Sequence, residues 1–157
     1  MTVKLAINGF GRIGRLVLRS IMESGRNDVS VVGINDLATA EANAHLLRFD
    51  SVHGRFDGEV KVSGNKLIVN GHEITMTQTK DPTQLPWKDL NVDIAMECTG
   101  IFTKKDDAVK HLAAGAKKFV KGLGGLAYFS IDIILLPLYI GSDIYFNRLT
   151  NGGASHV

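Results

Sequence analysis

Cysteine is almost absent from this sequence: Cys98 is the single thiol among 157 residues. One cysteine excludes any disulfide within the chain, which fits the reducing cytoplasm. Charge of one sign is also scarce. The formal net charge is +2, and no arginine-rich stripe accompanies the 7% of aromatic residues. That balance argues against nucleic acid or an anionic membrane as the partner. No run of about 20 apolar residues occurs. The longest candidate, near the C-terminus, is interrupted by Asp132, Pro137 and Asp143. At the other end, Leu5 to Ile7 is too short for the apolar core of a secretion signal. What remains is ordinary globular composition, 45% hydrophobic and 22% charged, in a length suited to one domain with a sizeable core.

The informative stretch is Lys4 to Arg15. Leu5, Ala6 and Ile7 read as a short buried strand, and Gly9, Gly11 and Gly14 follow in the spacing Gly-x-Gly-x-x-Gly. Leu16, Val17, Leu18 and Ile21 then recur at helical spacing, so the glycines sit on a strand-to-helix turn. Such a turn binds a dinucleotide pyrophosphate. Gly9 permits the sharp bend, Gly11 lets the phosphates approach the backbone, and Gly14 lets helix and strand pack closely. The N–H groups and positive dipole end of the helix favour an anion there, and Arg12 and Arg15 add positive charge. A second strand over 29–35 ends at Asn35 and Asp36. Asp36 stands about 20 residues past the glycines, where an acid receives the adenosine ribose hydroxyls. A carboxylate there repels a 2′-phosphate, which favours NAD over NADP.

In order, the pattern predicts a strand over 2–8, a helix over roughly 11–24 stopped by Gly25, the strand 29–35, and a helix from the Thr39 cap to about Arg48. Residues 49–56 read as a loop, with His53 a backbone-bonded loop histidine rather than a catalytic base. Residues 58–78 alternate and carry turn signals at Gly64 and Asn70-Gly71, which predicts an antiparallel excursion. Trp87 is expected to pack inward. Val92, Ile94 and Met96 give another parallel strand, ended by Glu97-Cys98-Thr99-Gly100. Cys98 reads as an unreactive strand-end thiol. A helix is expected over 104–114, with Thr103 as its cap and Asp106 and Asp107 in its first turn, and a strand from Phe119. The fold class is α/β: a Rossmann-type, doubly wound, mostly parallel sheet with an antiparallel hairpin insertion.

Asn8-Gly-Phe-Gly-Arg-Ile-Gly-Arg15, Ile34-Asn-Asp-Leu37, Phe49 to Phe56, Asp81-Pro82, Glu97-Cys-Thr-Gly-Ile-Phe102 and His111 to Lys118 together resemble the glyceraldehyde-3-phosphate dehydrogenase family, in its order and spacing. The resemblance covers residues 1 to about 118. It implies NAD as cofactor, and a contact set of Asn8, Gly9, Gly11, Arg12, Ile13, Gly14 and Asp36. It adds Lys80, whose carbonyl lies near the adenine, Thr99 and Gly100 along the adenosine ribose, and Phe102 near the adenine.

From Phe119 onward the family pattern is not followed. The catalytic Ser-Cys-Thr-Thr-Asn-Cys motif has no counterpart, and residues 119–157 read as a divergent apolar tail with candidate strands at 131–136 and 138–140. The expectation is a single NAD-binding domain over 1–157 without the catalytic domain, inactive alone. Frameshift, natural truncation and engineering stay open as origins of the tail. So do activity on glyceraldehyde 3-phosphate with a separately supplied catalytic half, an RNA-binding or assembly role, and self-association through the tail.

Overall fold

A computed structural model describes residues 2–102 and 109–121, all within the compact unit Met1–Gly124. The first strand, β1 (Val3–Asn8), is fully buried over its last four residues, as its apolar run requires. It leads through the glycine turn into α1 (Arg12–Glu23), which buries Val17, Leu18 and Ile21. Then come β2 (Val29–Asn35) and α2 (Ala40–Arg48). The Thr39 hydroxyl caps α2 by accepting the Ala42 N–H at 3.2 Å.

Two short strands follow, β3 (Phe49–Asp50) and β4 (Gly54–Arg55). The meander β5 (Val60–Ser63), β6 (Lys66–Val69) and β7 (His72–Thr77) comes next. A 3-10 turn at Pro82–Gln84 precedes β8 (Ile94–Glu97), the short helix α3 (Lys110–Ala113) and β9 (Lys118–Lys121).

The main sheet has seven strands in the order β5-β6-β7-β2-β1-β8-β9. Pairing is parallel from β7 through β9 and antiparallel among β5, β6 and β7. From β1 the chain runs to one side through β2, then returns to β8 on the other. The order therefore reverses at β1, and the carboxyl ends of β1, β2 and β8 flank the place where open sheets of this kind bind ligands. Beneath it, Trp87 is completely buried among Leu85, Val92, Ala95 and Ala114. A methyl group at Gly33 would stand 2.9 Å from the indole, so the bare glycine of β2 is what lets the ring lie on the sheet.

The stretch 49–56 is a small hairpin rather than a plain loop. Phe49 pairs with Arg55 and Asp50 with Gly54. The Asp50 carboxylate organises its turn, accepting the backbone N–H of Val52 at 2.9 Å and of His53 at 2.7 Å. Arg19 of α1 fastens it from below, donating to the carbonyls of Gly54 at 3.0 Å and Arg55 at 3.3 Å. The His53 ring meets the Asp50 carboxylate at 3.2 Å, a side-chain contact where a backbone bond was expected. The meander ends at Thr77. At Asn70 (φ 50°) and Gly71 (φ 82°) the backbone takes the positive dihedrals that the Asn-Gly pair signals. Of the helix expected over 104–114, Lys110–Ala113 is described as helical. Thr103, Asp106, Asp107 and the candidate strands at 131–136 and 138–140 lie outside the described residues.

Candidate functional site: the glycine turn and the carboxyl ends of β1, β2 and β8

The three glycines do three different jobs. Gly9 has φ 92°, and a methyl group on it would stand 2.6 Å from the Thr99 nitrogen. At Gly14 a methyl group would stand 2.2 Å from the Gly9 carbonyl oxygen and 3.0 Å from Ile7. These two positions are closed by backbone. At Gly11 a methyl group would meet nothing within 4 Å. The space beside Gly11 is open. Gly11 is also the N-cap of α1, whose first turn has neither a side-chain cap nor an acidic residue. No side chain thus caps the helix start, and free N–H groups at such a start suit an anion. Arg12 is exposed beside it and Ile13 half-buried, while Arg15 turns back to donate to the Phe10 carbonyl at 3.0 Å.

Asp36, half-buried at the end of β2, accepts the Phe10 N–H at 2.7 Å and the Ala38 N–H at 2.9 Å, one on each oxygen. The acid therefore lies against the glycine turn. A carboxylate has about four acceptor positions, so two remain for hydroxyl donors. Exposed Lys80 follows Thr79, whose backbone N–H and C=O both bond to the Asn35 side chain, each at 2.8 Å. Gly100, exposed with φ 73°, and half-buried Phe102 continue the chain past β8, and the Lys110 ammonium lies 5.6 Å from the Phe102 ring centre.

Under this surface runs a chain of side-chain hydrogen bonds that crosses the sheet. Thr77 donates to Asn35 at 2.9 Å, Asn35 to Asn8 at 2.7 Å, and Asn8 to Glu97 at 2.7 Å. From the other side, Trp87 donates to His111 Nδ1 at 3.1 Å, and His111 Nε2 meets Glu97 at 2.8 Å. An indole N–H can only donate. His111 Nδ1 must therefore accept, and the ring proton sits on Nε2, facing the carboxylate. Burial works to raise the Glu97 pKa, but the hydrogen bonds from His111, Thr99 and Asn8 outweigh it and hold the carboxyl below the usual glutamate range.

Cys98 is buried, and burial first, then the adjacent Glu97 charge, pushes its thiol up to about 12. A thiol so held is not a nucleophile at neutral pH. His111 is spent on Glu97 and Trp87, and His53 on Asp50, so neither serves Cys98 as a base. The structure thus gathers the glycine turn, Asp36, Thr79–Lys80 and Thr99–Gly100 around the ends of three parallel strands. Sequence reasoning missed Asn35, Glu97 and His111 as parts of the site. The available signal was polarity at the buried ends of otherwise apolar strands, in Asn8, Asn35 and Glu97.

A parallel sheet with a glycine turn at its switch point and an acid at the end of the next strand defines a dinucleotide-binding α/β domain. Residues 3–105 match the family described as glyceraldehyde 3-phosphate dehydrogenase, NAD binding domain, and the chain belongs to that family. It is 64% identical over 118 residues to the glyceraldehyde-3-phosphate dehydrogenase of Xanthobacter flavus, a match covering 75% of this chain and 35% of that protein. The enzyme of Geobacillus stearothermophilus is 55% identical over 120 residues, covering 76% of this chain and 35% of the relative. That of Haemophilus influenzae is 46% identical over 147 positions, covering 85% of this chain and 43% of the relative. The last alignment runs beyond residue 118, into the stretch that reads as divergent. The chain spans about a third of the length of the first two relatives. Among the described residues, no helix is long and apolar enough to cross a membrane.

Proposed function

We propose that this chain binds NAD across the carboxyl ends of β1, β2 and β8. The observation that carries the reading is the open space at Gly11, the N-cap of an α1 without a side-chain cap, with the Asp36 carboxylate folded against the same turn. In this reading the pyrophosphate lies over Gly9, Gly11 and Gly14 and takes the N–H groups of Arg12 and Ile13. Asp36 accepts the adenosine ribose hydroxyls, and Lys80, Thr99, Gly100 and Phe102 bound the adenosine. Asn8 acts from beneath through its bonds to Asn35 and Glu97.

The bound cofactor supplies hydride acceptance; the chain's own residues bind and orient it. Oxidation of glyceraldehyde 3-phosphate belongs to this reading only where a catalytic thiol and base come from outside residues 1–118. The domain is read as residing in the cytoplasm. The test is a calorimetric titration with NAD, with NADP as control. Saturable binding that prefers NAD, and that Asp36→Ala weakens by about tenfold or more while Cys98→Ala does not, supports the reading. A folded chain without saturable NAD binding rejects it.

A further inference from the structure

We infer that Glu97 is a positioning residue of the groove: its buried carboxylate fixes the Thr99–Gly100 turn in the shape that receives the ribose end of a dinucleotide. This rests on the NAD-binding reading and adds to it the residue that shapes one wall.

The argument is one of donors and acceptors. One Glu97 oxygen takes both the backbone N–H of Thr99, at 2.8 Å, and the Thr99 hydroxyl. The other takes Asn8 Nδ2 and His111 Nε2. Two chains of donors converge on this carboxylate. Trp87 donates to His111 and His111 to Glu97; Asn35 donates to Asn8 and Asn8 to Glu97. A carboxylate can end two converging chains because both of its oxygens only accept. A glutamine cannot. Its NH2 would face either the Thr99 N–H or the pair Asn8 Nδ2 and His111 Nε2. Turning Asn8 over would set its NH2 against that of Asn35, and moving the His111 proton would set Nδ1–H against the Trp87 N–H.

A buried carboxylate is costly, and apolar packing would hold a strand end more cheaply. The particular gain from an acid here is two bonds to one residue, Thr99, which lies at the rim. The geometry beyond it is tight as well, since the Thr99 nitrogen is the atom a methyl group at Gly9 would strike. The turn held by Glu97 and the turn that receives the pyrophosphate therefore touch backbone to backbone. On the far side the Asn35 amide also makes two bonds to one residue, accepting the Thr79 N–H and donating to the Thr79 carbonyl.

The test is a double-mutant cycle on the 157-residue chain, read as the NAD dissociation constant by calorimetry. Circular dichroism and the fluorescence of Trp87, the single tryptophan, monitor the fold. Glu97→Gln is expected to weaken NAD about tenfold. In a Thr99→Val background the same change costs only about threefold, because part of its route is already gone. Ile74→Val, which loosens the buried face of β7 away from the groove, leaves the affinity unchanged.

Unchanged affinity in Glu97→Gln overturns the inference. So does the same tenfold loss in both backgrounds, or an equal loss in Ile74→Val, since the effect would then follow stability alone. If Glu97→Gln does not fold, Glu97→Asp, which keeps the charge but shortens the reach to Thr99, takes its place with the same outcomes. Failure of the unsubstituted chain to bind NAD rejects the function reading itself; binding without the cycle rejects only the role of Glu97.

Discussion

The two sides of the seven-stranded sheet are built with hydrogen bonds of different reach. Among the three strands of the meander β5-β6-β7 the contacts are local: Lys66 pairs with Glu73, and the Asn70 side chain accepts the Glu59 N–H at 2.9 Å, 11 residues away. Its strands alternate buried and solvent-facing residues, as an antiparallel edge with one wet face does. At the ends of β1, β2 and β8 the contacts are long-range: Asn8 reaches Glu97 over 89 residues and Asn35 reaches Thr79 over 44. Here the strands are buried on both faces, and the polar groups that remain must find partners across the sheet. The candidate site lies at the long-range side. Its shape depends on strands brought together only in the finished fold.

That contrast can be broken most directly at the glycines. Gly14→Ala, with its new methyl group 2.2 Å from the Gly9 carbonyl, is expected to destabilise by about 4 kcal/mol in urea unfolding. Gly64→Ala, in the meander turn with nothing within 4 Å but φ 58°, should cost only about 1 kcal/mol. Equal losses would mean that the turn beneath the groove is no tighter than the hairpin turn. Next is Cys98. With its thiol pushed up to about 12 against an ordinary value of 9.0, its thiolate fraction near pH 8 is roughly a thousandfold lower than in the unfolded chain. Alkylation by iodoacetamide should be correspondingly slow in native protein and rapid in urea. Rapid native alkylation would show that the end of β8 opens easily.

The same difference in reach explains what the sequence discloses. The Gly-x-Gly-x-x-Gly turn, the Asn70-Gly71 hairpin and the Thr39 cap are written in neighbouring residues, and each appears where its local chemistry predicts. The inward Trp87 is legible too, as a large apolar ring. The chain from Thr77 to Trp87 is not legible, because no local pattern tells that Asn35 will face Asn8, or that a helix histidine will meet Glu97. The 49–56 hairpin was hidden for a related reason. Its pairs are only two, and part of what holds it is Arg19, more than 30 residues earlier in the chain.

The small hairpin offers a test of intermediate size. Backbone N–H groups of His53 and then Val52 hold the Asp50 pKa down to about 2, from 3.8. A depressed folded-state value means stability that is present above pH 3.8 and lost as pH falls toward 2. Asp50→Asn should therefore flatten the acid dependence of stability in that window, measured by denaturant midpoints at successive pH values. An unchanged slope would mean that the turn is already open in acid.

The smallest effect should come from the meander's exposed charges. Lys66 and Glu73 form an ion pair with side chains 45% and 58% exposed, where water and salt screen the attraction and two long side chains must be ordered to make it. Lys66→Ala is expected to change stability by no more than about 0.5 kcal/mol, a difference that should fade in 1 M salt. The pair lies on adjacent strands joined by a two-residue turn, so chain connectivity holds the ends together with or without it. A loss above about 1.5 kcal/mol that persists in salt would put this edge in the same class as the strand ends, with its register set by specific polar contacts rather than by turn and pattern.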